Sequence, residues 1–202
     1  MVDAILYINL EYRKDRKDHI LSELEKLKDI STNVHRIDAV LNTECGHIGC
    51  GKSHIKALEF AIENNWDSVL IVEDDLCIQG DIENIRKIND IKWDVMMLGY
   101  GHRTIQECEY PYPFLKRVTN ACCTHGYIVR KHYYQTLLDN FKEAIPIMET
   151  QLEKHLVLHP NKKLIYCTAI DQHWKLLQKK DIFYAFDPVL GVQNRELKSD
   201  NF

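Results

Sequence analysis

Residues 68–80 read SVLIVEDDLCIQG, an apolar, β-branched run that stops on three consecutive acids, Glu73, Asp74 and Asp75. A short apolar run of this kind suits a strand buried on both faces, as in a sheet covered by helices on both sides. Three like charges crowded at the end of such a strand repel one another, and more strongly near a low-dielectric interior. Something positive is needed at that strand end.

Working outward, AILYINL (Ala4 to Leu10) is a second buried-strand pattern, followed by the charged turn EYRKDRKD. Ile20, Leu21, Leu24 and Leu27 then recur at helical spacing, giving an amphipathic helix to about Lys28. VHRIDAV (Val34 to Val40) suits a strand, and LNTECGHIGCG a glycine-punctuated loop. Ile55, Leu58 and Ile62 mark a helix that Asn64 and Asn65 stop. Beyond the acids, GDIENIRKIND suits a short helix and WDVMMLGY (Trp93 to Tyr100) a fourth strand. Pro111 and Pro113 argue for a loop in GHRTIQECEYPYPF. CCTHGYIVR suits a strand, KHYYQTLLDNFKEA a helix, and Glu149 to Val157 a second helix. KLIYCTAID reads as a strand closing on Asp171, QHWKLLQK as a helix, and the tail from Ala185 as irregular.

Alternating strands and helices predict an α/β domain of Rossmann type, with a mixed, mainly parallel central sheet flanked by helices. No composition break or linker divides the chain, so residues 1–202 read as one domain. In such sheets ligands bind beyond the carboxyl ends of the strands. Glu73 to Asp75, Asn9 to Arg16, and Asp171 all fall at such ends.

Composition closes several alternatives. A formal charge of −4 offers no basic field for nucleic acid. No apolar run approaches the roughly 20 residues of a membrane span. The start, MVDAILYINL, has neither a basic n-region nor a small-residue cleavage site, which argues against a signal peptide. The seven cysteines (45, 50, 77, 108, 122, 123 and 167) form no CxxC pair and read as reduced thiols, so an intracellular, cytoplasmic location is expected. A zinc site from Cys45, His47, Cys50 and His54 is conceivable, but its spacing matches no standard pattern.

Two readings of the acids stay open on chemistry alone. One is a solvated turn with a helix cap. The other is a site for Mg²⁺ or Mn²⁺, which suit carboxylate oxygens and are usually held by one or two of them plus substrate phosphates. Arg13 and Arg16 are suited to bidentate contact with such phosphates, or else mark a solvated helix start. Ser53 and His54 read as the start of the second helix, where a phosphate is favoured, or as a cap and a packed histidine. Gly126 leaves room for an approaching ligand or simply makes a tight turn. Trp66, Trp93 and Trp174 read as core, while Tyr110, Tyr112 and Phe114 either stack on a ligand ring or sit in a mobile loop with partial packing.

Three blocks resemble glycosyltransferase family 25, the group of lipooligosaccharide-type and collagen galactosyltransferases. They are YINLEYRKDRKDHI; GHIGCGKSHIKALEFAIENNWDSVLIVEDDL; and, more loosely, DVMMLG, THGYIVRKHYYQTLL, AIDQHW and PVLGVQNRELKSD. They span nearly the whole chain in family order. Lys52 departs from the leucine or small residue usual in the family helix, and the segment from Glu107 to Leu115 carries no family motif. The resemblance implies a GT-A fold, a nucleotide-diphosphate sugar donor and inversion at the anomeric carbon. The acid triplet is similar to the DxD motif of that fold, which holds Mn²⁺ or Mg²⁺ against the donor diphosphate. Asp75 is then the first choice of metal ligand, with Asp74 and Glu73 sharing metal and ribose contacts. Asn9, Leu10, Arg13, Arg16, Ser53 and His54 fall on the donor side.

The reaction so implied moves a hexose, galactose or glucose, from a UDP-sugar to a hydroxyl of a glycan or of protein, such as hydroxylysine. Inversion needs a carboxylate on the acceptor side, and Asp171 is the candidate base, ahead of Asp187 and Asp200. Its alternative role is an N-cap. Competing functions are a two-metal nucleotidyl- or phosphotransferase, and an inactive UDP-sugar-binding module. A dimer is possible.

Overall fold

The computed structural model describes residues 2–101, 105–106, 112–160, 162–164 and 167–198, with backbone only at 89–90 and 105–106. Cys108, Tyr110, Pro111 and Asp200 lie outside the described residues. The strands are β1 (Ala4–Asn9), β2 (Val34–Asp38), β3 (Ser68–Glu73), β4 (Leu76–Ile78), β5 (Val95–Met97), β6 (Ile105–Gln106), β7 (Leu115–Val118), β8 (Gly126–Arg130), β9 (Phe183–Phe186) and β10 (Gly191–Gln193). The helices are α1 (Lys14–Leu24), α2 (Gly46–Glu63), α3 (Tyr134–Leu158), α4 (Ile170–His173) and α5 (Lys175–Gln178). Three 3₁₀ segments, Glu25–Leu27, Ile82–Asp90 and Lys131–Tyr133, complete the described elements.

Eight strands form one sheet in the order β2-β1-β3-β8-β5-β9-β7-β6, and β4 and β10 form a separate two-stranded ribbon. β1 runs parallel to β2 and β3, and β5 parallel to β9. β8 runs antiparallel to both β3 and β5, and β7 antiparallel to β9 and β6. All strands but β8 and β7 therefore point one way, and the sheet is mixed and mainly parallel, as the alternation of elements predicts.

The apolar runs are continuous because both faces are covered. Leu6, Ile8, Val69 and Ile71 face a core shared with α2 and α3. Ile5, Tyr7, Leu70 and Val72 face the opposite core, with α1 and the 82–90 segment. A strand with one solvated face would have shown alternation instead.

Several local expectations change. The glycine-rich stretch at 46–51 is helix, not loop: α2 begins at Gly46. Its glycines serve close packing rather than turning. A Cβ on Gly49 would lie 2.3 Å from the Val40 carbonyl oxygen, and one on Gly51 3.0 Å from Ile145 and Ile170. Asn42 Oδ1 accepts from the backbone N–H groups of Glu44 and Cys45 and sets up the helix entry. Ser53 and His54 consequently sit inside α2, not at its start.

The two helices expected over 131–157 are one, α3, with Pro146 inside it. An interior proline removes a hydrogen bond and clashes with the preceding turn. Here buried Phe141, Ile145, Met148 and Leu152 hold both halves against the core. The expected strand at 163–171 has no counterpart among the described residues. Leu164 N–H donates to the Glu44 carbonyl, and Thr168 N–H to the Gln151 side chain. Those backbone groups are thus satisfied away from the sheet, and Asp171 enters in the first turn of α4. The tail is not wholly irregular, since β9 and β10 occupy part of it.

Candidate active site

The topology gathers three chain segments at the end of β3. β1 ends beside it, with Ile8 paired to Glu73, so Asn9 projects next to the acids. β8 is antiparallel to β3, so the residues that precede β8 arrive at the same end: His125 carbonyl accepts from Glu73 N–H. β4 follows the acids and pairs antiparallel with β10, so the residues after β10 return to them. Asn194 N–H donates to the Asp75 carbonyl at 2.7 Å.

Arg16, in the first turn of α1, supplies positive charge. Its Nη1 lies 2.6 Å from Asp74 Oδ1 and its Nη2 2.6 Å from Asp75 Oδ2. One planar fork thus spans both carboxylates, a geometry lysine cannot copy. Asn9 Nδ2 donates to the other Asp74 oxygen at 2.7 Å. Asp75 Oδ1 is buried with no hydrogen-bond partner.

Glu73 is held differently. Thr124 Oγ1 donates to its Oε1 at 2.8 Å, and His54 Nε2 lies 3.3 Å from the same oxygen. A carboxylate only accepts, so Nε2 carries a proton toward Glu73, while Nδ1 lies 3.0 Å from Tyr127 Oη.

These environments separate the three acids. Burial opposes ionisation of Glu73, but the hydrogen bonds from His54 and Thr124 and the charges of His54 and His125 outweigh it, lowering its pKa to about 2. Burial dominates at Asp74 and raises its pKa to about 6 despite Arg16 and Asn9. Burial and the Glu73 charge likewise push Asp75 up, against Arg16. A single guanidinium does not fully offset the cluster, which leaves room for a second cation.

The acids line a cleft of about 580 Å³. Asn9, Leu10, Arg16, Ser53 and Asp171 also line it. Ser53 is mostly a structural tie: its Oγ accepts from Val40 N–H and donates to the Gly49 carbonyl. His54, fully buried, is not a lining residue and acts from beneath Glu73. Arg13 does not line the cleft either. It contacts Asp15 and donates from Nη1 to the Lys198 carbonyl, so it tethers the tail.

Asp171 lies on a second wall, made by α4 and the β7–β8 connection. Its Oδ2 accepts from Cys123 N–H at 2.9 Å. It is not an N-cap, because Ala169 holds that position. Asp187 faces Lys116 and is not a lining residue.

Lining residues that carried no assignment from sequence include Thr124, Arg195 and Lys198. Thr124 stands beside Gly126 in the THGY block, and Arg195 and Lys198 in the QNRELKSD block. Those motifs were the available signal, without the antiparallel pairings that bring them to the acids.

The other candidates resolve into packing. Gly126 fits against Leu76 and Leu98. Trp93 and Trp174 are core, Trp66 packs at its edge, and Phe114 stacks on Phe186 with Tyr112 beside it. The described cysteines are free thiols. The Cys45–His47–Cys50–His54 set does not assemble. Cys45 Sγ faces Cys167 Sγ at 3.9 Å, while Cys50 and His54 face Glu73. Among the described residues, no helix is long and apolar enough to cross a membrane.

Residues 41–152 match glycosyltransferase family 25 (LPS biosynthesis protein). The chain belongs to this family. It is 24% identical to human procollagen galactosyltransferase 2 over 184 residues, which is 73% of this chain and 29% of the relative. The mouse protein of the same name is also 24% identical, over 183 residues. The chain thus spans under a third of the length of these curated relatives. Among solved structures, a UDP-glucose pyrophosphorylase complexed with UDP-glucose superposes with a TM-score of 0.51 at 9% identity, covering 92% of this chain and 90% of that one. The α/β fold is of the GT-A type.

Proposed function

We propose that this chain is a single catalytic domain that transfers a hexose from a UDP-sugar, with inversion, to a hydroxyl acceptor on a glycan or a protein. One observation carries the reading: the acid triplet and Asp171, far apart in sequence, line the same cleft. The curated relatives are galactosyltransferases by name, which favours galactose as the sugar and procollagen-like hydroxyls among the acceptors.

The residues present fit a divalent cation. Asp75 Oδ1 is buried and unpartnered, and burial pushes both aspartates toward protonation unless more positive charge arrives. Asp75 is the foremost ligand. Both oxygens of Asp74 are already engaged by Arg16 and Asn9, so Asp74 ligates only if one of them yields. Few protein ligands suffice, because Mg²⁺ and Mn²⁺ keep waters and take phosphate oxygens. Bound there, the ion supplies Lewis-acid stabilisation of the departing diphosphate. Arg195 and Lys198, exposed at the cleft rim, add charge-assisted contacts to the same phosphates. Glu73, its pKa lowered to about 2, accepts a hydrogen bond from a ribose hydroxyl through its second oxygen.

Asp171 takes the acceptor hydroxyl proton. Cys123 N–H fixes its Oδ2, which leaves Oδ1 for the acceptor in exchange for the 3.3 Å contact from Gln172. Calorimetry with UDP and sugar-transfer assays on wild type, Asp75→Asn and Asp171→Asn test the scheme. Asp75→Asn is expected to lose Mn²⁺-dependent UDP binding. Asp171→Asn retains an acceptor for Cys123 N–H, so it should keep UDP–Mn²⁺ binding while transfer falls by about 10²-fold or more. Wild-type UDP affinity indifferent to Mn²⁺, or near-normal transfer by Asp171→Asn, would refute the corresponding half.

A further inference from the structure

The second wall of the cleft holds two thiols, beside Asp171, that the transfer reaction does not use. Cys122, Cys123 and Asp171 bring two sulfurs and a carboxylate oxygen within 4.8 Å of one another, and all three residues are half-exposed. Adjacent residues in extended chain point to opposite sides. Here Cys123 has φ 82°, the left-handed region, which turns both thiols to one side. That conformation is disfavoured for a non-glycine residue. The two sulfurs share the space above Gly101, where a Cβ would lie 2.8 Å from Cys123 Sγ and 2.9 Å from Cys122 Sγ.

We propose that Cys122, Cys123 and Asp171 form a binding site for a soft divalent cation, Zn²⁺, separate from the acid triplet. Tetrahedral Zn²⁺ with Zn–S near 2.3 Å places two sulfurs about 3.8 Å apart, within easy reach of the present spacing. Two thiolates select zinc over Mg²⁺ or Mn²⁺, which prefer oxygen. Both sulfurs bind as thiolates, so occupancy releases the thiol protons to solvent. The fourth position faces the cleft and takes water. The other sulfur-containing cluster among the described residues, Cys50, His54 and Glu73, has its His54 fully buried and committed to Glu73, so it is closed to an arriving ion. Zinc at the proposed site engages the Asp171 carboxylate and therefore inhibits transfer; that consequence, unlike the site itself, rests on Asp171 being the base.

The probe is Zn²⁺ alone, titrated into metal-free, reduced protein by calorimetry, with Co²⁺ as a spectroscopic substitute that gives sulfur-to-metal charge-transfer absorption. One tight equivalent is expected, with affinity falling at least 10-fold in Cys122→Ser and in Cys123→Ser and unchanged in Cys45→Ser. Equal affinity in wild type and Cys122→Ser, or a loss confined to Cys45→Ser, would overturn the site. Circular dichroism melts of each variant separate lost binding from lost fold. Cys122→Ser should transfer sugar normally and escape zinc inhibition. Zinc bound as described without inhibition leaves the site standing and removes Asp171 as the base.

Discussion

Replacing Arg16 with methionine keeps the length and apolar stem of the side chain and deletes its charge. In the folded protein Asp74 and Asp75 are then left as buried neighbours without their 2.6 Å partners. The side chains of Arg16, Asp74 and Asp75 are only 11%, 7% and 12% exposed, so solvent does little to replace the guanidinium. Removing one member of such a buried set costs about 3–5 kcal/mol. That is a large share of the roughly 5–15 kcal/mol that holds a domain together. At about 2–4 °C per kcal/mol for a chain of this size, the melting temperature should drop by about 6–20 °C.

The loss must also depend on pH. Asp74 has a folded-state pKa raised to about 6 from 3.8. A raised carboxylate favours folding below its unfolded pKa, and that contribution disappears as pH rises through the folded value. Without Arg16 the folded pKa climbs further, so Arg16→Met should lose most at pH 8 and much less at pH 5. Urea denaturation followed by circular dichroism at the two pH values reads this directly, in metal-free buffer. A variant within about 0.5 kcal/mol of wild type at pH 8 would show that water already solvates the aspartates, and the charge argument would fall. Mn²⁺ added to Arg16→Met at pH 8 should restore part of the stability by occupying the same carboxylates.

Two further outcomes follow from packing and from the hydrogen bonds beneath Glu73. Gly49→Ala puts a Cβ 2.3 Å from the Val40 carbonyl, a backbone atom, so α2 or the 40–42 strip lining the cleft must move. A stability loss of about 1–3 kcal/mol by denaturant titration, with weakened UDP binding, is expected, and an unchanged midpoint would argue against the close approach. His54→Gln should raise the Glu73 pKa from about 2 toward or above its usual 4.5, since burial then meets less opposition. Carboxyl NMR titration measures it. Stability contributed by Glu73, present above its unfolded pKa, would then fade at a higher pH than in wild type as acid is added.

Much of the sheet was legible because β1 and β3 are buried on both faces, and continuous apolar runs with sharp polar ends are hard to mistake. The acids and Arg16 were legible for the same reason: each stands just beyond such a run. Strand direction was not. The pattern GYIVR is the same whether β8 lies parallel or antiparallel to β3, yet only the antiparallel arrangement delivers Thr124 to Glu73. The glycines of GHIGCGK misled because glycine marks both turns and close helix contacts, and only the Val40 carbonyl distinguishes them. Asp171 was found from an apolar run that is not a strand in the described residues. The reading reached the cleft through the wrong element, and backbone bonds to Gln151 and Glu44 lay beyond any local pattern.

The β4–β10 ribbon has a bearing on how the protein comes into being on the ribosome. Asp75 receives its backbone partner from Asn194, and Arg13 reaches to Lys198, so both wait for residues made much later in synthesis. Until that tail emerges, β4 lacks its strand partner and the backbone groups that face β10 are open to other chains, beside three acids lacking part of their surroundings. Pairing across so long a stretch of sequence is slow, because a large loop must close before any contact forms. The nascent chain can therefore build the sheet around β1 and β3 first, and this side of the cleft is finished only once residues 191–198 have been made.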